Sequence, residues 1–578
     1  MEYNFFPEIK IKEKVQTWVG GMSISKKIND EADKLTHNVI TIEIYPGVST
    51  ERFNRELVPS LHADVLIDSR TIFYGSDKLE DLIQATLTQD RVFGRFGGHS
   101  FSDFIDKDQL EKCHKQIEDA LSNNKRVVIM GVAASLVYPS DMIIYADIPR
   151  WEIQKGFKSG VLSNWQADNA GDDFLAMVKR GYFFEWPMAD KQKQDVYSKV
   201  NYVIDSLRED WVMVSQESFS VALKEVASQP FSLVPFFDPG VWGGHWMQET
   251  FDFRKDDINL AWSFNGVPEE NSIILNFEGV KMEVPANTVV FFEPKKLLGD
   301  RVYGRFGKEF PIRFNFLDTI GGENLSLQVH PTTSYIQETF GAHYTQDESY
   351  YILQAKPGAK VYLGLNNGVK EEELIPALER AASGGESFDD KKFIYQQEIK
   401  KHDHFSIPGG TIHSSGADSV VLEISATPNR FTFKLWDWDR LDLDGKPRPV
   451  HLEHGAKCID YSRDEDWVKD QLVNPFEMIE KQEGWLEEKT GLHETEFIET
   501  RRFTFTEPIK LETKGSVNVL NLVDGTEAWV ESLAGEFEPF YIHYAQTFIV
   551  PDSVSSYSVR PTEKSKSEKL KLIQAYVR

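Results

Sequence analysis

From Asn324 to His330 the chain alternates. Leu325, Leu327 and Val329 fall on one face of an extended strand, Ser326, Gln328 and His330 fall on the other, and Pro331 ends the run. A polar face that carries a Gln and a His two residues apart can present two metal ligands into a cavity. Short runs of β-branched and aromatic residues surround this strand: Ile273–Phe277, Val280–Val284, Thr288–Phe292 and Pro311–Leu317 before it, and Tyr350–Leu353, Lys360–Leu363, Phe393–Glu398, His404–Ile407, Val420–Ser425 and Arg430–Trp436 after it. One insertion, Glu371–Ser383, has helical spacing at Leu374, Ile375, Leu378 and Ala381. Many short strands separated by turns predict a β-barrel or jelly roll.

The pattern differs on either side of this stretch. Through residue 233, the apolar runs Val39–Tyr45, Ala63–Asp68, Arg126–Val132 and Asp141–Ile148 alternate with helical patterns, notably Ser102–Ser122. That alternation predicts a parallel sheet covered by helices. Val127–Ser135 reads as a strand entering a small-residue turn, where a phosphate loop would sit, but it has no second Gly and no Lys. Trp151–Phe157, Lys179–Pro187 and Asp190–Lys199 loosely resemble the closing part of small-molecule kinases, which implies a degenerate P-loop-kinase-like scaffold. Residues 452–500 are charged and read as partly helical. From Arg501 the chain is β again, with no visible ligand cluster, and is expected to form a second, metal-free half-barrel. The expected domains are 1–233, 234–500 and 501–578.

Composition narrows the partners. At 578 residues the chain exceeds one core, and a formal net charge of −27 argues against nucleic acid or an anionic membrane surface. Two cysteines, Cys113 and Cys458, exclude a disulfide framework and a thiolate metal site. A metal must therefore be held by His, Glu, Asp or Gln. The first residues lack a signal-peptide pattern and no apolar run reaches spanning length, so a cytoplasmic protein is expected.

Two further segments complete the polar face of Gln328 and His330. Glu348 opens an apolar strand, which sets its carboxylate at the mouth of a sheet. Pro408-Gly-Gly-Thr-Ile-His413 makes a tight turn and then delivers His413. Two imidazoles, one carboxylate and an amide oxygen suit Zn²⁺ or a similar divalent ion and leave room for substrate oxygens.

Trp242-Gly-Gly244, Leu327-Gln-Val-His-Pro331, Glu348, Pro408–His413 and the run from Glu423 onward resemble the type I mannose-6-phosphate isomerases, zinc enzymes of the cupin fold. Tyr362–Asn367 and Pro447–Leu452 fit the shorter bacterial members, and the resemblance covers roughly residues 236–460. It implies one Zn²⁺ on Gln328, His330, Glu348 and His413, and a sugar phosphate interconverted between aldose and ketose through a cis-enediolate. It also implies a cation beside the metal. Lys434 stands where the family carries an arginine, and Arg430, on the same face of an unbulged strand, is the other candidate. Two residues before the ligand Glu the family often has a lysine; here it is Gln346. Arg313 is the expected phosphate contact, and Trp242 is expected near the mouth. The alternatives are a metal-binding cupin that acts on or senses another sugar phosphate, and a sugar kinase that uses the N-terminal domain.

Overall fold

The computed structural model describes all residues except Asp444, Lys446 and Pro447, so Pro447 of the Pro447–Leu452 segment lies outside the described residues. The chain divides into two units. One comprises Glu8–Val226 and Ser272–Glu293, the other Met1–Pro7, Ala227–Asn271 and Pro294–Arg578.

The first unit is built on a seven-stranded sheet. Its five parallel strands lie in the spatial order Val65–Asp68, Val127–Val132, Val39–Ile44, Met142–Ala146 and Tyr202–Asp205; Val212–Ser215 and Thr17–Val19 continue it antiparallel. Numbered along the chain, the parallel strands run 2-3-1-4-5. Near-continuous apolar strands such as Val39–Ile44 are buried because helices cover both faces. The predicted helix at Ser102–Ser122 is a short 3-10 turn, Phe101–Phe104, followed by Lys107–Ser122, whose start is capped by Asp106 accepting from the Asp108 and Gln109 amides.

Two sequence expectations change here. Ser272–Phe277 and Val280–Pro285 do form a hairpin, but it pairs with Glu8–Lys10 and belongs to this unit, not to the β unit. The expected strand at Thr288–Phe292 is a helix, Asn287–Phe292. Its β-branched and aromatic side chains bury equally well on a helix. Thr288 accepts from Lys193 Nζ at 2.7 Å, and the Phe292 ring stacks on Tyr197 with centroids 3.5 Å apart.

The second unit is β. A six-stranded antiparallel sheet runs His404–Ile407, Glu348–Ala355, Ser419–Ala426, Ile312–Asp318, Trp262–Gly266, Phe236–Asp238. A five-stranded sheet runs Ile394–Glu398, Lys360–Leu365, His413–Ser415, Leu327–Val329, Phe433–Trp436. Leu317, Tyr350, Ile352, Val361, Leu363, Phe405 and Val421 share one core. The insertion is the helix Glu371–Ala382, with Glu371, Glu372 and Glu373 at its positive N-terminal end and Leu374, Leu378 and Ala381 buried. The remainder forms two further sheets around a core that includes Phe503, Leu520, Phe548 and Leu572. This part begins before Arg501: Glu477–Gln482 and Trp485–Thr490 are strands of its larger sheet. Glu477–Gln482 is an exposed edge strand, and its charges hide the period-two pattern. Among the described residues no helix is long and apolar enough to cross a membrane.

Candidate metal centre

Strand pairing brings the four expected ligands to one point of the β unit. Gln328 and His413 are direct partners on adjacent strands of the smaller sheet, and His330 follows just past the strand end. Glu348 opens its strand in the larger sheet. The Pro408-Gly-Gly turn is fastened to His330: the Gly410 amide donates to the His330 carbonyl at 2.8 Å. A Cβ on Gly409 would lie 2.5 Å from the Pro331 carbonyl oxygen, and Gly410 has φ +94°, so neither position tolerates a side chain easily. The turn therefore fixes His413 relative to His330.

His413 Nε2 lies 2.8 Å from Glu348 Oε1, and His330 Nε2 lies 3.2 Å from Glu348 Oε2. The Gln328 amide nitrogen donates to His413 Nε2 at 3.1 Å. The candidate ligand atoms of His330, Glu348 and His413 all fall within 4.8 Å of one another, and the three residues are buried. The far side of each imidazole is engaged: His413 Nδ1 donates to the Thr411 carbonyl at 2.9 Å, and His330 Nδ1 to the Phe431 carbonyl at 3.3 Å. With the protons on Nδ1, both Nε2 lone pairs turn toward a carboxylate that also only accepts. His330 Nε2 and Glu348 Oε1 have no hydrogen-bond partner. Converging acceptors, two of them with no donor and the others met only by the Gln328 and Gln346 amides, are the arrangement a divalent cation completes. Electrostatics favour positive charge here too. Burial opposes ionisation of Glu348, and it is positive charge on the side of His330 and His413 that holds its pKa well below the ordinary carboxylate range.

A second layer lies on the same face of the larger sheet. Cross-strand register aligns Arg313 with Ser425 and Glu348, and Asn315 with Glu423 and Tyr350. Gln346 Nε2 donates to Glu348 Oε2 at 3.2 Å and to Glu423 Oε1 at 3.3 Å, and Asn315 Nδ2 donates to Glu423 Oε2 at 3.3 Å. Burial and then the Glu348 charge push Glu423 up to about 7, against the pull of Arg313. Glu423 is the functional candidate that sequence reading left without a role. Its signal was a carboxylate in the middle of the wholly buried strand Ser419–Ala426.

The remaining expectations divide. Lys434 pairs in register with Gln328, so it shares a face with Gln328 and His413. Burial, then Arg448, lower its pKa to about 8 in spite of Asp437. Arg430 lies in a turn, because the strand begins only at Phe433 and a register shift falls between Leu327 and Gln328; the unbulged-strand premise that put it beside Lys434 does not hold. Arg313 is 4% exposed, donates from Nε to Asn315 at 3.2 Å and lies over the Phe264 ring. Trp242 is 1% exposed within the apolar core and edge-on to Trp262, not at a mouth.

A second grouping joins Glu2, from the start of the chain, to Glu527 and His543 of the last segment. Its buried acid is already engaged, accepting from Thr562 Oγ1 at 2.6 Å and Lys564 Nζ at 3.4 Å. Both cysteines are free and buried.

Comparison with known proteins gives two kinds of match. Residues 20–228 match a family described as a domain of unknown function, DUF8485. The mannose-6-phosphate isomerase ManA of Bacillus subtilis is 26% identical over 238 residues, which is 41% of this chain and 69% of that protein. The mannose-6-phosphate isomerase of Streptococcus mutans is 26% identical over 234 residues, 40% of this chain and 68% of that protein. A crystal structure of the Bacillus subtilis mannose 6-phosphate isomerase aligns with 60% of this chain and 100% of its own at 18% identity and a TM-score of 0.48.

Proposed function

We propose that this chain is a metal-dependent aldose–ketose isomerase that interconverts mannose 6-phosphate and fructose 6-phosphate. The observation that carries the reading is the set of buried acceptors on His330, His413 and Glu348 that face one another with every Nδ1 proton already donated elsewhere. Zn²⁺ fits this donor set, held by His330, Glu348, His413 and the Gln328 amide oxygen. When bound it would supply a Lewis acid for the sugar oxygens.

The chain's own residues carry the proton. In the aldose-to-ketose direction, Glu423 takes the proton from C2, a cis-enediolate forms, and the same carboxyl returns the proton to C1 while the hydroxyl proton passes from O2 to O1. Its pKa of about 7 suits both halves of the transfer. Gln346 holds Glu423 against the metal-side carboxylate. Lys434 shares the charge that develops on the enediolate, and Arg313 receives the phosphate. Buried, free cysteines agree with a reducing, cytoplasmic setting. The test is a coupled assay of zinc-loaded protein for fructose 6-phosphate from mannose 6-phosphate. No turnover would sink this reading and favour a cupin that acts on or senses another sugar phosphate, the reading that a neutral Gln346 in place of the family's lysine supports.

The N-terminal unit is, in this reading, a kinase-like scaffold without phosphoryl transfer. The loop after its first parallel strand, Tyr45-Pro-Gly-Val-Ser49, has no lysine. Lys193 is held by Asp147 at 2.5 Å and by Thr288. Mg-ATP is expected to leave the melting temperature unchanged, and a clear rise would restore the kinase reading.

A further inference from the structure

We infer that a second cavity of the β unit, apart from the metal centre, binds a hydroxylated small anion of the monosaccharide phosphate class. The cavity measures about 520 Å³ and is walled by Arg305, Phe306, Gln337, Tyr344, Asp347 and Phe497, among others, and by none of the four candidate ligands. That volume lies within the range of small-molecule sites.

Arg305 is its anion receptor. The guanidinium carbon lies 5.1 Å from the Phe306 ring centre and 5.0 Å from that of Phe497. Among the described residues it makes no hydrogen bond or ion pair. Two rings thus hold a planar fork of donors that no protein group claims, which is the geometry that grips a phosphate. Of the other acidic wall groups, Glu309 contacts the His343 ring at 3.2 Å, and Asp347, whose Oδ1 accepts from the Gly409 amide, keeps Oδ2 as an acceptor. Gln337 donates its amide nitrogen to the His343 carbonyl at 2.8 Å, so its oxygen remains as a second acceptor. Tyr344 packs edge-on against Phe306 and Phe497, with centroids 5.2 and 5.5 Å away. One cationic fork, hydroxyl acceptors and an aromatic wall describe a phosphorylated sugar better than bare phosphate or a polyanion, which the Asp347 carboxylate would repel.

The same cavity touches the metal centre through one loop, Gly341–Asp347. His343, Tyr344 and Asp347 face the cavity. Thr345 Oγ1 donates to the Pro331 carbonyl at 2.5 Å, Gln346 to Glu348 and Glu423, and the Gly409 amide donates to Asp347 Oδ1 at 2.8 Å. A ligand that orders this loop also orders the residues beside His330, Glu348 and His413. This makes the cavity an effector site; that coupling rests on the isomerase reading, whereas the binding does not.

Calorimetric titration of the full-length protein with glucose 6-phosphate, with D-glucose and inorganic phosphate as separate arms, tests the binding. One equivalent of glucose 6-phosphate is expected to be lost, or weakened at least tenfold, in Arg305→Ala, and weakened in Arg305→Lys, which keeps the charge without the fork. Glucose and phosphate alone should bind at least tenfold more weakly. Glucose 6-phosphate binding unchanged in both variants, or inorganic phosphate binding equally tightly, overturns the inference. If Arg305→Ala melts early, Arg305→Lys decides. Hydrogen exchange reads the coupling without reference to turnover: glucose 6-phosphate should slow exchange over residues 341–347 and 409–413 in the wild type and not in Arg305→Ala. Unchanged exchange over 409–413 overturns the effector role.

Discussion

Gln346 donates its side-chain amide to Glu423 at 3.3 Å, and the same nitrogen reaches Glu348. One neutral amide thereby separates two buried carboxylates. Gln346→Leu should leave both without that donor and cost about 1–3 kcal/mol of stability. Urea unfolding checks the cost. Metal analysis of the same samples should find zinc retained, because Gln346 is not a ligand in this reading.

Removing an imidazole should act differently. His330→Ala and His413→Ala are each expected to reduce zinc from about one per chain to a small fraction, and turnover by roughly a thousandfold or more. Full zinc occupancy in both variants would refute the ligand assignment. Treatment of the wild type with a chelator should reproduce the loss, and added Zn²⁺ should reverse it.

Glu423→Gln keeps the size of the side chain and removes its ability to take a proton. Turnover is expected to fall about 100- to 10,000-fold with zinc content unchanged. A variant that retains most activity would assign the proton to another group.

Glu43 offers a pH test away from the metal. It is 1% exposed, accepts from the Ser135 amide at 2.6 Å and from Gln192 at 3.2 Å, and burial raises its pKa from 4.5 to about 7. The folded chain then keeps a proton that the unfolded chain releases near pH 4.5. This contribution is full below pH 4.5, declines as pH rises toward 7, and levels off above it, a loss of about 3 kcal/mol. Asp205, raised to about 6 by burial, adds a loss in the same direction over a lower window. Urea midpoints at pH 5 and pH 8 should differ less in Glu43→Gln than in the wild type.

Trp242→Ala should destabilise by about 3–5 kcal/mol through the cavity it leaves. Protein that remains folded should keep its KM, since the ring lies in the core. A large rise in KM without loss of stability would return Trp242 to the substrate.

Much of the candidate metal centre was legible along the chain because the proposed ligands sit on strands with a clean period of two, or behind a turn of unusual composition. Leu325, Leu327 and Val329 aim Gln328 and His330, and Pro408-Gly-Gly announces His413. Gln346 and Glu423 were harder, because their meeting depends on the pairing of Tyr350 with Glu423 across two strands that are more than 70 residues apart in sequence. The strand face expected for Arg430 is absent for a related reason: alternation assumes an unbroken strand, and this one starts three residues later. Periodicity identified the hairpin Ser272–Pro285 but not its sheet, since a half-buried strand looks alike in either unit. Glu477–Gln482 was missed because an exposed edge strand need not alternate at all.

That hairpin also governs how this chain can be divided. The chain passes from one unit to the other after Pro7, Val226, Asn271 and Glu293. The Glu283 amide donates to Asp205 at 2.8 Å, and Thr288 accepts from Lys193 at 2.7 Å, so residues far beyond 233 satisfy buried groups of the first unit. A fragment ending at residue 233 would lose these partners, and the complementary fragment would carry a hairpin whose neighbouring strand is absent. The two units are interleaved in the gene: no single cut yields either of them whole.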